Sequence, residues 1–217
     1  GQLLSAAVTA VCSFAGDDSR MARVTGQDRF GSYEESGAHV AVELVNELAV
    51  QFAFGRPVGE VEPFAAVRRI LEIDPPSAEQ LRDRDVPGFV ALAGRLKSVF
   101  GQLERSDLDA AAGGINDLLA AHSAQPHLAK EDGQWRLHHH PVDATLEPMA
   151  TAICAEGLAR LISAGDAGRL GTCESDDCDR VFLDESKNGS RRFCSLSCQN
   201  RVKAAAFRRR RTTRDNG

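Results

Sequence analysis

Four cysteines, Cys173, Cys178, Cys194 and Cys198, stand in two close pairs, with four residues inside the first, three inside the second and fifteen between them. Zinc takes four soft or borderline ligands at tetrahedral corners, and thiolates supply them without any redox change. The short loop between Cys173 and Cys178 lets both sulfurs face one centre. Cys194 and Cys198 are four apart, so at the start of a helix they share a face. Four protein thiolates leave no open coordination position, which makes the implied site structural and not catalytic. Two disulfides are the competing use of the same residues. Clustered pairs in a chain with no clear export signal favour metal and a reducing, cytoplasmic compartment.

Directly after the last cysteine the chain turns basic. The stretch 191–214 holds nine Lys/Arg and no Asp/Glu, against a net charge of −5 for the whole chain, so residues 1–190 carry −13. A metal clamp on the start of a positively charged helix suits the phosphate backbone of a nucleic acid. Arg191, Arg192, Arg208, Arg209, Arg210 and Arg211 are the phosphate-binding candidates, and their contacts would weaken steeply with salt. Gln199, Asn200, Arg201 and Lys203 are the candidates for base reading in a major groove, where Asn pairs with adenine and Arg with guanine. Residues 200, 203, 207 and 211 share one face, leaving Val202, Ala205 and Ala206 to pack inward. The plainer use of Arg201 and Lys203 is to brace the metal unit, with the arginine run merely solvated.

The run Cys194-Ser-Leu-Ser-Cys198-Gln-Asn-Arg-Val-Lys-Ala-Ala-Ala-Phe-Arg-Arg-Arg resembles the CGNR zinc finger, supported by Phe182, Asp184, Ser186, Lys187-Asn188 and Arg191-Arg192-Phe193. Gln199 stands where that family has glycine. The resemblance implies a zinc ion, double-stranded DNA as partner, and a preceding domain of the ABATE type found in stress-induced transcriptional regulators. Val42 to Leu48 is similar to that domain's early apolar helix: Asn46 matches its hallmark Asn, and Glu47 replaces the following Thr. Trp135-x-Leu137 is similar to its hairpin.

The elements that must position these residues read as helices. Apolar residues make up 42% of the chain and aromatics only 6%, with alanine and leucine plentiful. The fold expected is mostly α: a helical N-terminal domain with one small β-hairpin, plus a small four-cysteine zinc-finger domain ending in the basic helix. Helices are expected over His39–Phe54, Val61–Ile73, a short stretch opened by Ser77, a segment from Pro87 through Leu103, one from Ser106 or Asp107 to Ala121 with Gly113-Gly114 as a weak point or break, and Ala144–Ser163. The Asp132-Gly133 pair inside 127–138 signals a hairpin. The domain scheme is a lead-in at 1–35, a helical domain at 36–165, the finger at 166–211 and a tail at 212–217. Residues 1–20 stand outside the fold reasoning, with Met21 a plausible native start. No segment is long enough to span a bilayer.

The helical part names no chemistry. It shows no Gly-rich phosphate loop and no nucleophile elbow, and no catalytic residue can be named, so no enzyme is expected. His138-His139-His140 reads as an exposed strand end, because neighbours in a strand point to opposite faces. Cys154 reads as an inert buried thiol. Asn46, inside an apolar helix, either lines a ligand pocket or satisfies a buried backbone group. The functional expectation is a zinc-finger DNA-binding transcriptional regulator whose helical domain senses a small-molecule effector or forms a homodimer. The rivals are a zinc-dependent protein-interaction or RNA-binding module, and an enzyme domain with the finger as a targeting tag.

Overall fold

The computed structural model describes residues 32–72, 75–121, 127–131, 133–138 and 144–215. Cys12, Met21, His122, His139 and His140 lie outside them. The helical part comprises α1 (Ser32–Leu48), α2 (Pro63–Leu71), α3 (Pro75–Gln80), α4 (Val86–Glu104), α5 (Leu108–Ala121) and α6 (Leu146–Ser163). A short antiparallel pair, β1 (Phe52–Ala53) and β2 (Arg56–Pro57), follows α1, and the hairpin β3 (His127–Glu131) with β4 (Gln134–His138) separates α5 from α6. The C-terminal part holds β5 (Leu170–Thr172), β6 (Val181–Leu183) and α7 (Leu196–Asp215).

Helix α4 buries one stripe, whereas α6 is buried nearly all round. In α4 that stripe is Phe89, Leu92, Ala93, Leu96, Val99 and Phe100, the centre of the core. Helix α5 returns along α4 after a tight link in which the Asp107 carboxylate accepts the Ala110 N–H at 3.1 Å, satisfying one orphan donor of the new helix. Helix α6 ends in a Schellman motif: Gly165 has φ 80°, its N–H reaches the Ile162 carbonyl, and the Asp166 N–H reaches that of Leu161. The closest helix crossing is α1 on α6. A Cβ at Gly37 would lie 2.3 Å from the Ile153 carbonyl oxygen, and one at Gly157 would lie 2.6 Å from the Ala38 nitrogen.

Three expectations change. Gly113-Gly114 does not break α5, because Ala111, Ile115 and Leu118 pack into the core and hold the helix together. The first helix opens earlier than His39 and ends at Leu48 rather than Phe54. Phe52, expected on its apolar stripe, lies in β1 with its side chain partly exposed. The helix stops there because the Asp179 carboxylate takes the N–H groups of Gln51 and Phe52, the latter at 2.8 Å. The chain then turns through Phe54 (φ 55°) and Gly55 (φ 87°), a two-residue hairpin turn with both central residues left-handed.

The core also does not stop at the glycines 165–168. Leu170, Val181 and Leu183 of the β5–β6 hairpin are buried with the helical residues in one continuous apolar cluster. Among the described residues no helix is long and apolar enough to cross a membrane.

Candidate metal centre and the basic helix it anchors

The β5–β6 hairpin carries the first cysteine pair at its open end. Its ladder continues past Thr172, with the Cys173 N–H donating to the Arg180 carbonyl at 2.9 Å. Residues 174–177 bulge between the two cysteines, helped by Asp177 at φ 51°. The second pair sits at the start of α7, where the Ser195 hydroxyl accepts the Cys198 N–H at 3.2 Å and caps the helix.

These elements bring all four sulfurs within 4.8 Å of one another. Cys178 and Cys194 are 3.8 Å apart, and Cys198 is 3.7 Å from each. Zinc–sulfur bonds of about 2.3 Å at tetrahedral angles put sulfurs about 3.8 Å apart, whereas a disulfide needs about 2.05 Å. All four cysteines are free, so the donor set fits zinc. Cys173, Cys178 and Cys198 are buried, and Cys194 is half-buried. Phe193 packs beside them.

The protonation balance depends on the metal. Burial, then repulsion from Cys173 and Cys178, pushes the Cys194 thiol up, and burial raises Cys173 as well. Burial also acts to raise Cys178, but the backbone N–H groups of Phe54 and Arg180, with the thiols of Cys198 and Cys173, outweigh it and hold that group below its ordinary value. Taking up zinc therefore displaces protons, so acid weakens the site.

The Phe54 N–H belongs to the β1–β2 turn, so the helical part supplies one wall of the metal site. Further contacts fasten the same joint. The Gly55 N–H donates to the Asp177 carbonyl at 3.0 Å, and the Asp179 N–H to the Phe52 carbonyl at 3.0 Å. Lys97 of α4 donates to the Asp179 carboxylate and, at 2.8 Å, to the Ala49 carbonyl. Asn46 reads both backbone groups of Val181, accepting its N–H at 2.9 Å and donating to its carbonyl at 3.0 Å. Of the two roles open to Asn46, the structure shows backbone satisfaction. The pattern of residues had not singled out Lys97 or Asp179.

Arg201 braces this joint as well. Its guanidinium donates to the Ser175 hydroxyl at 2.7 Å and to the Asp176 carbonyl, and it rests on Gly55, where a Cβ would fall 1.2 Å from Nη1. Gly55→Ala should cost about 2 kcal/mol, from forcing a side chain to positive φ and from displacing Arg201. A melting curve of the variant would reveal this, and an unchanged midpoint would contradict it.

Arg191 and Arg192 are engaged too. Arg191 lies over the Phe182 ring at 4.9 Å and donates to the carbonyls of Leu183, Phe193 and Cys194. Phe182 in turn covers Gly171, its cross-strand partner, where a Cβ would meet the ring at 2.6 Å. Arg192 pairs with Glu174, which lowers that carboxyl. The buried Asp184 organises the loop beyond β6, accepting the N–H groups of Ser186 at 2.8 Å and Arg191 at 2.6 Å.

Burial alone would raise the carboxyls of Asp179 and Asp184. Their hydrogen bonds, from Lys97, Gln51 and Phe52 in one case and from Ser186 and Arg191 in the other, win and hold both below the usual range. A carboxyl lowered by folding stabilises the fold fully above its unfolded value of about 3.9 and stops doing so as pH falls through its folded value. A denaturant series at stepped pH should show stability falling below about pH 4, less steeply in Asp179→Asn.

The remaining candidates divide along α7. Gln199 is half-buried, while Asn200, Lys203, Phe207, Arg208, Arg209, Arg210 and Arg211 are exposed. Val202, Ala205 and Ala206 are half-buried on the opposite side. The exposed acidic pair Asp176-Asp177 flanks the first turns, beside Arg201. The chemistry on offer is thus a rigidly held helix whose basic character grows away from the metal.

No curated protein matches the chain. A family model does, over the metal-binding segment and not the helices before it: residues 169–211 match the model of the CGNR zinc finger.

Proposed function

We propose that this protein is a zinc-dependent, DNA-binding transcriptional regulator and not an enzyme, working in the cytoplasm. Its helical part would respond to a small-molecule effector or pair two copies. The observation that carries this reading is the exposed basic side of α7, whose start is fixed by Cys194 and Cys198 and by Arg201. The contacts to DNA are reassigned from the sequence expectation. Arg191, Arg192 and Arg201 hold the finger together, and Asp176 and Asp177 repel phosphate near the first turn. Lys203, Arg210 and Arg211, which share a side of α7 with Asn200, meet the backbone, and Asn200 is the base reader between them.

The test is fluorescence anisotropy of a labelled random duplex, titrated with holoprotein over a range of salt. Each phosphate contact contributes about −0.9 to the slope of log K against log salt. The triple variant Lys203→Ala/Arg210→Ala/Arg211→Ala should keep its zinc and its melting point, bind more weakly, and lose roughly 3 from the slope. No duplex binding at low salt, or an unaltered slope in the triple variant, would sink the DNA reading and favour the protein-interaction module.

A further inference from the structure

A groove of about 260 Å³ lies between α1 and the finger, with Cys194 in its lining. His39, Val42 and Glu43 of α1 form one wall, and Glu185, Arg191 and Cys194 stand among the residues facing them. His39 and Glu185 meet across it at 2.9 Å. Asn46 and Val181, which bond to each other, also line it. A water molecule occupies about 30 Å³, so the groove admits small solutes. Among the four metal-site cysteines Cys194 alone is half-buried rather than buried, and among them it alone lines the groove. Cys198 lies 3.7 Å behind it, fully buried.

We propose that Cys194 is a redox-reactive thiolate, reached by a small peroxide through this groove, and that its oxidation opens the metal site. The Cys194 sulfur attacks one peroxide oxygen and the O–O bond breaks. A sulfenic acid forms on Cys194, and the departing oxygen leaves as water after taking a proton from solvent. The Cys198 thiolate then attacks that sulfur. An S–S bond replaces the S–OH bond, and hydroxide leaves with a second solvent proton as water. Two thiolates have together lost two electrons, and the peroxide has been reduced to two waters. Only Cys173 and Cys178 remain as donors, too few to hold zinc in a structural site. Because Cys194 and Cys198 fix the start of α7, the basic helix is released in the same event. The device rests on the metal site alone and stands whether or not α7 binds DNA.

The experiment uses the full-length holoprotein, its zinc content measured first, with hydrogen peroxide as the oxidant. A chromophoric chelator follows zinc release, and peptide mass spectrometry locates the modified cysteine. Limiting peroxide should release one zinc per peroxide consumed and yield a disulfide that includes Cys194. Val42→Trp, which fills the groove, should slow release severalfold at an unchanged melting point, and Val42→Ala should not slow it. First modification at Cys173, Cys178 or Cys154, retention of zinc after Cys194 is oxidised, or an unaltered rate in a folded Val42→Trp variant would each overturn the proposal. Should Val42→Trp fail to fold, the identity of the first modified cysteine decides alone.

Discussion

Chelating the zinc is expected to lower the melting temperature of the whole chain, helical part included, and not merely to unravel its last forty or so residues. Structural zinc sites contribute apparent binding energies of about 10–16 kcal/mol, more than so small a unit can replace from its own core. Without metal the β5–β6 hairpin loses the clamp at its open end. Leu170, Val181 and Leu183 then leave the shared core. At about 1.5–3 kcal/mol for each large apolar side chain, that removes roughly 5–9 kcal/mol as an upper bound. Asn46 and Lys97 also lose partners that they reach across the joint. Even half of that sum lowers the midpoint of a chain this long by roughly 5–18 °C. Circular dichroism melts with and without chelator, joined to hydrogen exchange on α1 and α4, measure it. If those two helices keep their protection in the metal-free protein, the finger is a separate unit after all.

A second large effect hangs on two glycines that carry no chemistry. Gly37 and Gly157 let α1 and α6 touch backbone to backbone. Helix propensity alone says that Gly157→Ala should stabilise by about 1 kcal/mol. The geometry reverses the sign. The new methyl would lie 2.6 Å from the Ala38 nitrogen and 2.9 Å from the Gly37 carbonyl carbon, both main-chain atoms that cannot swing aside. Overpacking of this kind costs about 1–3 kcal/mol, occasionally more. A net loss of about 2 kcal/mol, or 4–8 °C in the midpoint, is expected. Gly113→Ala is the matched control: it lies inside α5, a Cβ there meets nothing within 4 Å, and it should gain up to about 1 kcal/mol. The same substitution with opposite signs separates close packing from propensity. Equal signs would mean that the α1–α6 crossing is wider than described.

What the residues disclosed in advance follows from how local the information is. The four ligands depend on neighbours a few residues away, so spacing reveals them. The apolar repeats of α4 and α6 were legible for the same reason. The joint between the helices and the finger was not. Asn46 meets Val181 across 135 positions and Lys97 meets Asp179 across 82. Asp179 is one of 31 acidic residues, with nothing in its surroundings to mark it. Phe52 fitted a helical repeat until that distant carboxylate captured its N–H. Arg191 and Arg192 were read by charge as ligands for phosphate and Arg201 as a base reader or a brace of the metal unit; their partners are carbonyls, a hydroxyl and Glu174, which for Arg201 is the brace. Charge pattern gave the sign of the segment but could not tell which of its arginines the finger uses internally.

One property unites the account: four thiolates share one zinc and tie the basic helix to the helical body. Its most direct test is the mass of the intact chain under native conditions, beside the same chain carrying Cys198→Ser. The account predicts one zinc ion per chain in the natural sequence and its loss in the variant. A chain without zinc whose mass is lowered by the hydrogens of two disulfides would contradict it.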